Sequence, residues 1–108
     1  MNRFLFLMLC LALAGSVQAK GNAEKGKAKA AQVCAACHGA DGAKPVAPEN
    51  PILAGQYPDY LVKALSDYKT GKRANPIMKA FADQLSKQDI EDLAAWFSTQ
   101  KSDLHFQR

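Results

Sequence analysis

Apolar residues are arranged in two ways along the 108-residue chain. Near the N-terminus they form a block, an unbroken run from Phe4 to Ala14 that follows Arg3 and gives way to small and polar residues ending Val17-Gln18-Ala19. Further on they recur three and four positions apart, the signature of helices with one buried face. From Asn22 to about Cys37, Ala23, Gly26, Ala30, Val33, Cys34 and Cys37 share a face, and Lys25, Lys27 and Lys29 point to water. Pro58 to Thr70 repeats the pattern with Leu61, Ala64, Leu65 and Tyr68, a proline at its start and Gly71 at its stop. The third helix begins at Ser86-Lys-Gln-Asp89, a capping-box variant, with Leu85 and Ile90 placed to staple it and Ile90, Leu93, Ala94 and Phe97 as its stripe. Residues 39–57 and 72–84 are rich in Gly, Pro and Asn and read as irregular. No stretch alternates at period two, so the pattern predicts an all-α domain with two long connections. Such connections usually carry function or wrap something.

The N-terminal block has the anatomy of a secretory signal peptide: a positive start, a short apolar centre and an A-x-A-like end. A membrane anchor is the alternative, but the run is well short of the ~20 residues that span a bilayer. Residues 1–19 are therefore expected to be removed, leaving 20–108 as one exported domain with no permanent membrane anchor and a periplasmic location. Cys10 falls in the removed segment. Subtracting Arg3 from 14 basic residues leaves 13 against 10 acidic ones, a formal +3. That charge is mild and scattered, without the basic tract interleaved with aromatics that nucleic-acid binding requires. A domain this small often needs a staple, whether a disulfide, a metal or a cofactor.

Cys34-Ala-Ala-Cys37-His38 supplies one. In C-x-x-C-H, two thiols one helical turn apart can add to the two vinyl groups on one edge of a porphyrin, and the histidine that follows falls under the iron. Two other readings share these residues. A thioredoxin-like redox pair needs a βαβ setting, and no strands are expected. A zinc site could recruit Cys34, Cys37, His38 and His105, but adjacent Cys37 and His38 fit zinc spacings poorly. For the second axial position on a haem iron, Met78 is the only methionine beyond the N-terminal block and His105 the only other histidine. A lone methionine in an apolar loop ordinarily fills a core gap. Beside C-x-x-C-H, Met78 in Asn75-Pro-Ile-Met-Lys-Ala-Phe81 becomes the candidate ligand, and His105, in a polar tail, is its competitor. A haem held by His and Met has no open position for a substrate. That points to electron transfer and away from enzymatic chemistry. No pair of carboxylates suggests acid–base work.

The sequence resembles the class I c-type cytochromes, in particular the small bacterial periplasmic ones and the single-haem halves of dihaem members. The resemblance is carried by Cys34-Ala-Ala-Cys-His-Gly-Ala-Asp-Gly42, Pro51-Ile-Leu-Ala-Gly-Gln56, Tyr60-Leu61, Gly71-Lys-Arg73, the Met78 segment, Leu85 to Ile90, and Leu93-Ala-Ala-Trp-Phe97. It implies the class I cytochrome c fold, short helices around one covalently attached haem c, with His38 and Met78 as iron ligands. It further implies that the Pro51 carbonyl holds His38, that Leu53 packs on the haem, and that Gly26 lets the first and last helices cross against an aromatic, here Trp96. Ala30 departs from the aromatic many members carry, and nothing after Gln100 contributes. The function implied is one-electron transfer between a redox-protein donor and acceptor, as a monomer or weak dimer. The alternative is a haem-bearing subunit of a larger oxidoreductase complex. Lys44, Lys69, Lys72, Arg73 and Lys79 fall in segments expected to flank the haem edge. They read either as a solvated basic face or as a set that steers an acidic partner, and Arg73 is also suited to pairing with a haem propionate. Tyr57, Tyr60, Tyr68 and Phe81 are expected to pack in the haem pocket or core.

Overall fold

Helix starts in this chain are set by side chains that accept orphan backbone N–H groups. The computed structural model describes residues 21–102; the expected signal segment and His105 lie outside them. Asn22 accepts from the Lys25 N–H and opens α1, Ala23–Val33. The apolar face runs on to Cys37, but the helix does not. It stops at Val33, and a separate single turn, α2, spans Ala35–His38. At the junction the Cys34 carbonyl accepts from both Cys37 N–H (3.2 Å) and His38 N–H (3.0 Å), a tightened turn that reorients the chain without interrupting the apolar stripe.

The next helix, α3, is Pro58–Thr70, with proline in its first turn and Gly71 at φ 84° closing it in the left-handed conformation. The segment 72–84, expected to be irregular, contains a helix. This is α4, Pro76–Ala82, started by Asn75, whose side chain accepts from the N–H groups of Ile77 and Met78. Ala82 is its one buried residue, with Met78 and Phe81 half-buried on the same face, a stripe only one turn long. α5, Lys87–Ser98, has the expected capping box: Ser86 Oγ accepts from Asp89 N–H (3.0 Å), and Asp89 Oδ2 accepts from Ser86 N–H (2.9 Å). Leu85 and Ile90, on either side of the cap, are both buried.

The core consists of Ala30, Leu61, Leu85, Ile90, Leu93, Ala94 and Phe97, and Leu93 is its one large, fully buried side chain. Its centre is the crossing of α1 on α5. A Cβ on Gly26 would lie 2.0 Å from the Asp92 carbonyl oxygen and 2.9 Å from Trp96 Cβ, so only glycine permits this approach. Ala30, in place of an aromatic, is completely buried beside it. Polar contacts lock the crossing. The buried Asp92 carboxylate accepts from Asn22 N–H (2.8 Å) and Gln88 Nε2 (2.9 Å), and Lys29 lies 3.7 Å from Asp89. From this centre the packing runs outward in an arc, α2 on α1, α1 on α5, α5 on α3 and α3 on α4. No substantial packing closes the arc between α2 and α4. The described residues contain no strand.

Candidate cofactor site

At one end of the arc, the backbone fixes Cys34, Cys37 and His38 closely. The carbonyl of Cys37 accepts from Val46 N–H (3.0 Å) and from the side-chain amide of Asn50 (3.2 Å), which ties α2 to the following loop. That loop folds on Gly42, whose carbonyl accepts from Leu53 N–H (2.9 Å) and Ala54 N–H (3.2 Å). With φ 77° and Phe97 Cδ1 only 2.8 Å from where a Cβ would stand, position 42 is closed to any side chain. The loop thereby delivers Pro51 to His38, whose Nδ1–H donates to the Pro51 carbonyl (2.9 Å). A carbonyl can only accept, so this bond fixes the tautomer and leaves Nε2 with its lone pair free. His38 is 6% exposed.

Both thiols are free and half-buried. Cys34 packs against the core, and burial, reinforced by Cys37, pushes its pKa up to about 11. It is therefore a neutral thiol at pH 7, poor at forming disulfides unaided. Leu53 is half-buried against the same core.

Met78 stands at the other end of the arc, half-buried on α4, its N–H bonded to Asn75 Oδ1 (3.0 Å). Cys34, Cys37, His38, Pro51 and Leu53 are thus linked through one loop, and Met78 lies on a separate helix that packs on α3. These donors do not gather round a point. Among the described residues no group of three or more His, Cys, Asp or Glu side chains forms a metal cage, so the zinc reading finds no site there. Two thiols, an imidazole with one committed nitrogen and a distant thioether suit a broad apolar group carrying its own metal. Leu53, Val62 and Leu65 remain only half-covered at the edge of the core, as that fit requires.

Tyr57 and Tyr60 are 40% and 49% exposed and so lie outside the apolar core; Tyr60 Oη accepts from Arg73 Nη1 (3.3 Å), and the guanidinium lies 4.8 Å from the Tyr68 ring centre. Lys69 and Lys79 are not free docking charges. Lys69 Nζ donates to the Leu85 carbonyl, and Lys79 Nζ donates to the Lys69 carbonyl (3.1 Å) and to Asp83 Oδ1 (3.0 Å). Lys44 and Lys72 are exposed. Neither Asn50 nor the two lysine tethers has a local sequence signal, since each pairs with a backbone carbonyl that only the tertiary fold brings near.

Comparison with known proteins gives a consistent picture. The family model described as cytochrome c matches residues 23–101. Cytochrome c4 of Pseudomonas aeruginosa is 51% identical over 102 residues, covering 94% of this chain and 50% of that protein. Cytochrome c-554(548) of Halomonas halodenitrificans is 39% identical over 84 residues, covering 75% of this chain and 99% of that protein. The crystal structure of reduced recombinant cytochrome c4 from Pseudomonas stutzeri superposes with a TM-score of 0.70 at 45% identity, covering 78% of this chain and 48% of the other. The chain spans about half the length of the cytochrome c4 relatives it matches.

Proposed function

The chain belongs to the cytochrome c family, and from that membership we propose that it is a monohaem, periplasmic electron carrier acting between two redox proteins. Membership brings a covalently bound haem c, which supplies the one-electron Fe(II)/Fe(III) couple. Cys34 and Cys37 hold it through thioether bonds. His38 Nε2 and Met78 Sδ would hold its iron. Pro51 orients the imidazole through the Nδ1–H bond, and Leu53 would give the haem an apolar contact. Iron held by both residues would leave no position for a substrate, which would separate a carrier from an oxygen-activating enzyme. The reading of a single haem is supported by the relative of which 84 matched residues make up 99%.

The observation that carries the proposal is the 2.9 Å bond from His38 Nδ1 to Pro51, within a C-x-x-C-H turn, because it leaves one nitrogen free to bind iron. Residues 1–19 direct export and are removed. Among the described residues no helix is long and apolar enough to cross a membrane. Exposed Lys44 and Lys72 favour an acidic docking partner. Intact mass measurement of the exported protein tests these claims together. The expected mass begins at or near Lys20 and includes one haem. A mass without haem, or one retaining residues 1–19, overturns the corresponding part. Gel filtration separates a monomeric or weakly dimeric carrier from a subunit that migrates with a larger enzyme.

A further inference from the structure

α4 presents a physical problem. A helix of seven residues is too short to be stable on its own, and this one buries Ala82, half-buries Met78 and Phe81, and leaves Ile77 69% exposed. Apolar packing therefore fixes only part of where α4 lies. Polar bonds do the rest. Asn75 caps its first turn. Lys79, one residue past Met78, reaches out of the helix to the Lys69 carbonyl in the last turn of α3 (3.1 Å) while pairing with Asp83 within its own helix (3.0 Å). Lys69 in turn donates to the Leu85 carbonyl, which leads into α5. Each lysine satisfies a carbonyl on the next element, so the two form a chain of bonds from α4 through α3 to the buried Leu85. A cation at the carbonyl end of α3 also meets the negative pole of that helix.

We propose that Lys79 is a positioning residue for Met78: its bond to the Lys69 carbonyl fixes α4 against α3 and so holds the Met78 sulfur at the iron, in preference to external ligands. The proposal rests on the reading of Met78 as an axial ligand. An external ligand can bind the iron only in the fraction of molecules in which Met78 has swung away, so a looser α4 raises the apparent affinity for that ligand in proportion.

The test is cyanide binding to the ferric holoprotein, followed together with the weak red charge-transfer band of Met–sulfur ligation. Lys79→Ala is expected to bind cyanide roughly fivefold more tightly than the parent, a modest factor because the tether is half-exposed and screened. It should also weaken the charge-transfer band. Lys79→Arg, which can still span to the carbonyl and to Asp83, should restore both. Lys63→Ala breaks the exposed Lys63–Asp67 pair of α3 (2.6 Å) and should change neither, which separates positioning from general loss of stability. Met78→Ala tests the underlying reading: it must abolish the band and open the iron to cyanide. If it does so while Lys79→Ala behaves like the parent, the positioning role is wrong. If Met78→Ala itself changes nothing, the ligand assignment falls instead.

Discussion

His38 and Met78 are held by different physics. Around His38 the folded chain holds the side chain through many contacts of its own. The ring is buried, its Nδ1–H is bonded to Pro51, the carbonyl of neighbouring Cys37 accepts two donors, and the supporting loop closes on Gly42 against Phe97. Around Met78 the chain has one buried alanine, an asparagine cap and a lysine tether. The first arrangement is stabilised by apolar burial that also holds the whole domain together, at about 1.5–3 kcal/mol for each large side chain. The second depends on exposed polar bonds, each contributing about 1 kcal/mol or less. One half of the site is thus part of the core, and the other is an attachment to it. Changes near His38 should report as global stability, and changes near Met78 as local opening.

The severest challenge to this contrast is removal of the covalent link. Cys34→Ala/Cys37→Ala should lose most helical circular dichroism and the cooperative melt, because a domain this small leaves Leu53, Val62 and Leu65 only half-covered without the haem. Native-like helicity without haem would mean that the His38 half is self-sufficient. Next in size is Gly26→Ala. The new methyl would meet the α5 backbone, which cannot step aside, so the loss should reach about 3 kcal/mol, the upper end for overpacking. It should appear as a lower melting temperature with the Met–sulfur band intact in the folded fraction.

A pair of cap deletions sharpens the comparison further. Ser86→Ala and Asn75→Ala each remove a helix cap typically worth ~1 kcal/mol. Ser86→Ala should lower the melting temperature, since α5 is central. Asn75→Ala should leave it nearly unchanged and increase cyanide binding. If both shifted the melt equally, α4 would be as integral as α5. The smallest effect concerns acid. The Asp89 carboxylate is held below its ordinary range, chiefly by the Ser86 backbone N–H, with the Ser86 hydroxyl and Lys29 adding to it. Its contribution is therefore complete above the unfolded pKa of about 4 and fades as pH falls through the lower folded value. The stability gap between the parent and Asp89→Asn should narrow below pH ~4 in acid melts.

What could be read in advance follows the same divide. α3 and α5 were legible because strong local punctuation (Pro58, Gly71, the Ser86–Asp89 box) agrees with an apolar stripe. The α1–α5 crossing at Gly26 came from family resemblance, and the close approach of the Asp92 carbonyl is its physical reason. The break at Cys34 was not legible, because the apolar face passes unbroken across it. α4 escaped because its period, Met78, Phe81 and Ala82, is only one turn long and sits among Asn, Pro and charged residues that read as loop. Cys34, Cys37 and His38 announced their chemistry by spacing. Pro51 and Leu53 came from family resemblance, since nothing local marks the carbonyl that will meet an imidazole thirteen positions away. The lysine tethers read as solvated charge, and only the fold reveals their acceptors.

The hydrogen bond from Asn22 to Asp92 spans 70 positions, and this has a consequence in time. Closing a loop of that length costs roughly 4 kcal/mol of chain entropy beyond a constant, and the partners of α1 are the last helix to be made. Until Asp92, Leu93 and Phe97 are in place, α1 has nothing to cross and α2 has no support. A chain that is exported before it folds, and whose core needs the haem, therefore keeps both thiols accessible, and the Cys34 thiol is spared the burial that raises its pKa. Attachment comes first, and the crossing at Gly26 completes the fold behind it.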